Sequence, residues 1–288
     1  MEAEDLTKIP IIDDVDLEFK NKIKLTYLKY IILFVVIIPV LIYMMFPILE
    51  NNFGRLPYYI VYANFLAVLI LAVVLSWARW DILKKFYKQF SQRNGYLYVE
   101  NDFYILEQGA LFTKGNHRSK TNVIKGLLEN HRIQIFNYDF EIGSGKNRIP
   151  YSYTVFEIDY DNRIPKMFLR VDKNAWQMFK PSFVNGRRLN LEGNFDDFFD
   201  LFVENDFEIE ALQIFTPDIM QKLMTDWKQF TLEFTGDKIY IYTTFHIDKS
   251  KNLEAMHSLA KFLIDKLSIV IKRMEPSTLA MEKQIFNK

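Results

Sequence analysis

HRIQIFNYDFEIGSGKNRIPYSYTVFEIDY, residues 131–160, contains two runs of alternating apolar and polar side chains, 131–142 and 149–160, separated by the glycine-bearing GSGKNR. β-Branched and aromatic residues in alternation suit a pleated strand, and glycine takes up turn conformations that other residues resist. The pair predicts a β-hairpin. A second turn, DNRIP at 161–165, leads into KMFLRVDK at 166–173, which alternates in the same way. Together the three runs predict a meander of antiparallel strands.

Working outward, YLYVEN (96–101) and FYILEQG (103–109) offer short strand patterns, and GNHRSKTN (115–122) reads as a polar loop. Downstream, RRLNLEG (187–193) has the pattern of a short strand, and Asn194 can cap a helical turn through FDDFFDLF. Thr216, Pro217 and Asp218 form a helix start, with threonine as N-cap and proline at the first helical position, leading into IMQKLMTDW. FTLEFTGDKIYIYTTF (230–245) predicts a hairpin around Gly236 and Asp237. Apolar Leu259, Phe262, Leu263, Leu267, Val270 and Ile271 give Leu253–Met274 the spacing of an amphipathic helix. The expected fold is α+β: a mixed, mainly antiparallel sheet with a closing amphipathic helix over 96–275, followed by a C-terminal tail, 276–288.

Two uncharged apolar stretches precede this domain. The first, from Tyr30 to Leu49, contains IILFVVIIPVLIYMMFPIL; the second, Leu56 to Ala78, is LPYYIVYANFLAVLILAVVLSWA. A helix rising about 1.5 Å per residue needs on the order of 20 apolar residues to cross a hydrocarbon core about 30 Å thick. Both reach that length and predict an N-terminal transmembrane helical hairpin over 30–78. Lys20, Lys22, Lys24 and Lys29 precede it, and Arg79, Lys84, Lys85, Lys88 and Arg93 follow, whereas the connector has only Arg55. Basic flanks stay in the cytoplasm, so both termini are expected there, with 1–29 as a cytoplasmic tail. WARWDILKKFYKQFSQRNG keeps helical spacing as far as Asn94 and Gly95, predicting a juxtamembrane stalk over 79–95.

Lysine plus arginine and aspartate plus glutamate number 36 each, so no bulk field favours nucleic acid. There is no cysteine, which excludes disulfides, thiol nucleophiles and cysteine-ligated metals. GSGK at 143–146 resembles the end of a phosphate-binding loop, but Phe140 stands where the first glycine belongs and Asn147 where the hydroxyl belongs. It also joins two strands instead of opening a helix, so it reads as a hairpin tip whose Lys146 and Arg148 are a candidate weak anion or partner contact. Acidic residues crowd 192–210, including Asp196, Asp197, Asp200 and Glu204, but their spacing fits no calcium loop. His117, His131, His246 and His257 have no zinc spacing. No catalytic motif, metal site or cofactor site is expected.

The hairpin, the stretch from Asn137 to Tyr160, the segments LEGNFDDFF and IFTPDIM, and FTLEFTGDKIYIY together resemble an uncharacterised family of bacterial membrane proteins. The resemblance implies bacterial origin, multi-pass residence in the plasma membrane and one cytoplasmic domain, and it brings no activity or catalytic residue with it. The expected function is an integral membrane protein whose cytoplasmic domain is a binding, scaffold or sensor module. Its rival is a membrane-bound enzyme acting on a lipid or phosphorylated substrate near the headgroups. The expected partners are the lipid bilayer and a protein in the membrane or cytoplasm, with oligomers allowed and no nucleic acid expected. Lys84, Lys85, Lys88 and Arg93 are candidate contacts for anionic lipid.

Overall fold

The computed structural model describes residues 11–26, 40–41, 44, 56–102, 108–160, 164–171, 181–183, 186–191 and 193–286. Its contacts divide the chain into two compact units, Met1–Gln89 and Phe90–Lys288.

The first unit contains α1 (Val15–Thr26) and most of α2 (Leu56–Arg93). Asp14 begins α1 by accepting a hydrogen bond at 3.0 Å from the Leu17 backbone N–H, which satisfies one of the orphan donors of the first turn. Arg79 on α2 donates to Asp16 from Nε and Nη2, at 3.1 and 3.0 Å, and the Ile12 amide donates to Gln89 at 3.1 Å. The stretch expected to be a tail therefore contains a helix tied to α2.

Among the described residues, no helix is long and apolar enough to cross a membrane, which overturns the expected transmembrane hairpin and the multi-pass plasma-membrane placement built on it. The stretch Tyr30–Leu49 lies outside the described residues except at 40, 41 and 44, as does the connector 50–55. The second stretch does not end at Ala78 but continues within one helix of 38 residues into Arg79, Asp81, Lys84 and Lys85.

The second unit is built on one nine-stranded sheet in the order β1-β2-β3-β4-β9-β8-β5-β7-β6. The strands are β1 (Leu97–Asn101), β2 (Asn116–Leu128), β3 (His131–Ile142), β4 (Ile149–Asp159), β5 (Met167–Val171), β6 (Gly186–Leu189), β7 (Phe199–Glu204), β8 (Thr231–Phe234) and β9 (Lys238–Thr243). Every pairing is antiparallel. β3 and β4 pair from Ile133↔Ile158 to Ile142↔Ile149, leaving 143–148 as the hairpin loop.

Two expectations fail within the sheet. GNHRSKTN is part of β2, not a loop. His117 and Asn122 take positive φ values of 52° and 51°, and the register shifts between Asn116 and Ser119 and between Thr121 and Ile124. These bulges break the period of two that makes a strand readable. FDDFFDLF forms only a short 3₁₀ turn, Phe195–Asp197, before β7 begins.

One sheet face carries an aromatic cluster of Phe136, Tyr138, Phe140, Tyr153, Phe168, Tyr240 and Tyr242, closed by a 3₁₀ turn at Ala110–Thr113. Phe112 of that turn meets the rings of Tyr138 at 5.0 Å and Tyr240 at 5.5 Å, edge to face. The other face carries Ile135, Phe156, Ile158, Ile239 and Ile241, all buried. Helix α3 (Glu208–Ile214), α4 (Pro217–Asp226) and α5 (Ser250–Phe286) complete this unit. Leu253, Met256, Leu259, Ala260, Leu263 and Leu267 form the buried stripe of α5, and His257 of the same helix lies 6.1 Å from the Phe156 ring. Each fully buried leucine of that stripe contributes on the order of 1.5–3 kcal/mol relative to exposure.

Candidate functional site

Along α2 the exposed residues Tyr62, Phe65, Leu66, Leu69, Ile70, Val73, Val74 and Trp77 are apolar, and Tyr62 and Trp77 expose 70% and 72% of their surface. At about 100° per residue, Tyr62, Leu66, Leu69, Val73 and Trp77 fall within about 80° of one another and form one stripe. An exposed apolar run of this extent marks an interaction surface. Trp80, Lys84 and Lys88 continue the same direction, and the Lys84 ammonium stands 5.6 Å from the Trp80 ring centroid. The helix thus carries an apolar stripe that turns cationic after one further turn.

The four basic residues expected as one group are divided by the helix. Lys84 and Lys88 share the stripe. Lys85 points to one side and forms a 2.8 Å ion pair with Asp81, whose carboxyl is held below its ordinary value first by that hydrogen bond. Arg93, in the last turn, falls roughly opposite Lys88 by the same helical geometry.

Lys146 and Arg148 sit in the β3–β4 loop, both exposed. Arg148 Nη1 is 3.5 Å from Glu141 Oε2, and His117 Nδ1 is 3.9 Å from the same oxygen, so Arg148 already has an acidic neighbour on the hairpin. Gly143 has φ of +104° and Gly145 +59°, conformations suited to the loop and not to a helix N-terminus holding phosphate.

The structure also creates a group that linear spacing did not reveal. Ser152 donates to Asp139 Oδ1 at 2.6 Å, and His246 Nε2 approaches the same oxygen to 3.0 Å. The residue types are those of a nucleophilic triad, but the carboxylate stands between serine and histidine. A triad needs histidine in the middle, hydrogen-bonded to the nucleophile it deprotonates. The His246 nitrogen is also near enough for an ion pair yet off the direction of a hydrogen bond. This order ties β3 to β4 and does not place the histidine on the Ser152 hydroxyl.

Glu233 on β8 is fully buried on the aromatic face. Its Oε2 accepts hydrogen bonds from the Ala110 amide at 2.8 Å and the Tyr242 hydroxyl at 2.7 Å. Burial raises the carboxyl above its ordinary value, against the opposing effect of those donors and of Ser182. Burial likewise raises Tyr242, reinforced by Glu233, which keeps the phenol protonated and donating. Gly109 closes the site, since a Cβ there would lie 2.3 Å from the Tyr242 hydroxyl oxygen. The carboxyl is thereby packed as a polar pin beneath the 3₁₀ turn.

Among the described residues no group of three or more histidine, aspartate or glutamate side chains could hold a metal ion. The acidic run is instead dispersed into pairs: Glu204 with Lys166, Glu208 with Arg187, and Asp200 with Arg170 and Arg188. Asp196 accepts from the Leu191 amide at 3.3 Å.

Neither a family model nor a curated protein matches the chain, so the resemblance to an uncharacterised bacterial membrane-protein family is not supported. Among solved structures, the chain is similar to the crystal structure of the mycobacterial trehalose monomycolate transport factor A, TtfA, at 13% identity and a TM-score of 0.48, over 64% of this chain and 94% of that one. Similarity at this level transfers neither fold nor function.

Proposed function

We propose that the protein works by binding, and that its ligand is an anionic amphiphile held along α2, with the apolar chain on the Tyr62–Trp77 stripe and the charged group at Lys84 and Lys88. The carrying observation is the continuity of the two surfaces on one helix face. Apolar area left in water is unfavourable by roughly 25 cal/mol per Å², which drives the stripe to acquire a cover, and the adjacent cations select a cover of opposite charge.

Trp77 reports on this directly. Addition of phosphatidylglycerol vesicles to the full chain should shift tryptophan emission to shorter wavelength, an effect reduced in Trp77→Phe, where Trp80 alone remains on the stripe. Lys84→Glu with Lys88→Glu should weaken binding to these vesicles and abolish most of its salt dependence, because each cation near an anionic surface contributes roughly 1 kcal/mol. Equal binding to phosphatidylcholine vesicles, unaffected by the double substitution, would defeat the assignment of charge selectivity.

A further inference from the structure

At the β5–β7–β6 end of the sheet, two guanidinium groups share one carboxylate. Arg170 and Asp200 are directly opposite in register, and Arg188 is opposite Phe202, two residues further along β7 on the same sheet face. Arg170 Nη2 lies 2.6 Å from Asp200 Oδ2, and Arg188 Nη2 lies 2.9 Å from Oδ1. The side chains are 4% exposed at Asp200, 16% at Arg170 and 43% at Arg188. Arg170 also stacks on Phe202, its Cζ 5.1 Å from the ring centroid.

Several other ion-paired groups of the sheet match each cation with a carboxylate. Lys238 and Arg132 meet Glu157 and Asp159, Lys166 meets Glu204, Arg187 meets Glu208, and Lys125 meets Asp102. Among the described residues the Arg170–Asp200–Arg188 group instead retains one positive charge, and Arg170 Nε and Asp200 Oδ1 are both buried with no hydrogen-bond partner. Arginine offers a planar fork of five donors, and a single carboxylate occupies only part of two such forks.

We propose that this group is a binding site for a singly charged oxyanion, a carboxylate or a phosphodiester. Asp200 acts as a positioning residue that spreads the two forks, the anion completes the charge balance, and the exposed half of Arg188 is the way in. Charge-assisted hydrogen bonds from two guanidinium groups suit such a group geometrically. Inorganic phosphate and acetate carry no apolar chain, so their binding here is tested separately from the reading of α2.

The test follows the arginine Nε–H resonances of the full-length protein by NMR during titration with inorganic phosphate, acetate and, at matched ionic strength, chloride, and separately with phosphatidylglycerol vesicles. The Arg170 signal should move saturably with phosphate or acetate but not with chloride. Saturation by the vesicles alone would assign the same chemistry to a headgroup. Affinity should fall at least tenfold in Arg188→Gln and rise in Asp200→Asn, where the group gains a second net charge. Absence of saturation with every oxyanion source, or unchanged affinity in Arg188→Gln, overturns the proposal. If Asp200→Asn fails to fold, the surface-accessible Arg188→Gln still decides.

Discussion

Glu233 and His257 show how a single buried group shapes stability against pH. For Glu233, the native state holds the carboxyl proton more tightly than the unfolded chain, so stability declines as pH rises from below the ordinary carboxylate value through the raised one. Glu233→Gln removes this titration, and urea unfolding measured across pH should show a flatter profile than the parent protein. Glu233→Leu should be worse than glutamine at every pH, by about 1–3 kcal/mol, because the Ala110 amide and Tyr242 hydroxyl lose their acceptor. His257 works with the opposite sign. Burial lowers its value, helped by Lys261, and Tyr96 lies 2.8 Å from Nε2 with its own phenol raised by burial. The protonated phenol and the neutral ring therefore share one hydrogen bond, whose direction the ring tautomer sets. Phe90 and Phe156 pack beside the ring, and the charged groups nearby are Lys261 and its partner Glu129. The unfolded chain takes up the proton first as pH falls below about 6.5, so stability should drop from there through the lowered native value. In Tyr96→Phe the unfolding free energy at neutral pH should fall by about 1 kcal/mol.

At the scale of elements, the loop between β3 and β4 allows a ranking of two glycines. A Cβ on Gly143 would lie 2.2 Å from the Asn147 carbonyl oxygen at a φ of +104°, whereas Gly145, at +59°, has open space. Gly143→Ala should therefore be the more destabilising, with Gly145→Ala near the roughly 1–2 kcal/mol typical of a left-handed residue acquiring a side chain. Thermal unfolding of the two variants checks the order. Elements whose side chains keep one period were legible beforehand: β3, β4, the β8–β9 hairpin, α4 with Pro217 at its start, and the apolar stripe of α5. β2 escaped because its bulges at His117 and Asn122 reset the alternation. β7 escaped because Phe195, Phe198, Phe199 and Phe202 have helical spacing, while the strand uses Phe199, Leu201 and Val203 on one face and Asp200 and Phe202 on the other. With β7 misread, the pairing of Arg170 with Asp200 had no register from which to be inferred. The Asp139–Ser152–His246 group was equally hidden, since its members come together only through strand pairing and the return of the chain after β9.

At the scale of the whole molecule, the sheet unit holds a buried core, and the described part of α2 carries exposed apolar side chains. Composition identified that surface as apolar, but reading it as a complete bilayer span took a hydrophobic run for an isolated element. The described helix carries its apolar face onward into Trp80, Lys84 and Lys88, and this junction underlies the binding account. Flotation of the full chain with phosphatidylglycerol vesicles tests that account most directly, comparing the parent protein with the combined substitutions Leu66→Asp, Leu69→Asp and Val73→Asp. Circular dichroism verifies that the sheet remains folded in both. The account predicts that the parent protein rises with the vesicles and that the folded triple variant stays behind; a parent protein that remains in the dense fraction, or a variant that rises equally, would contradict it.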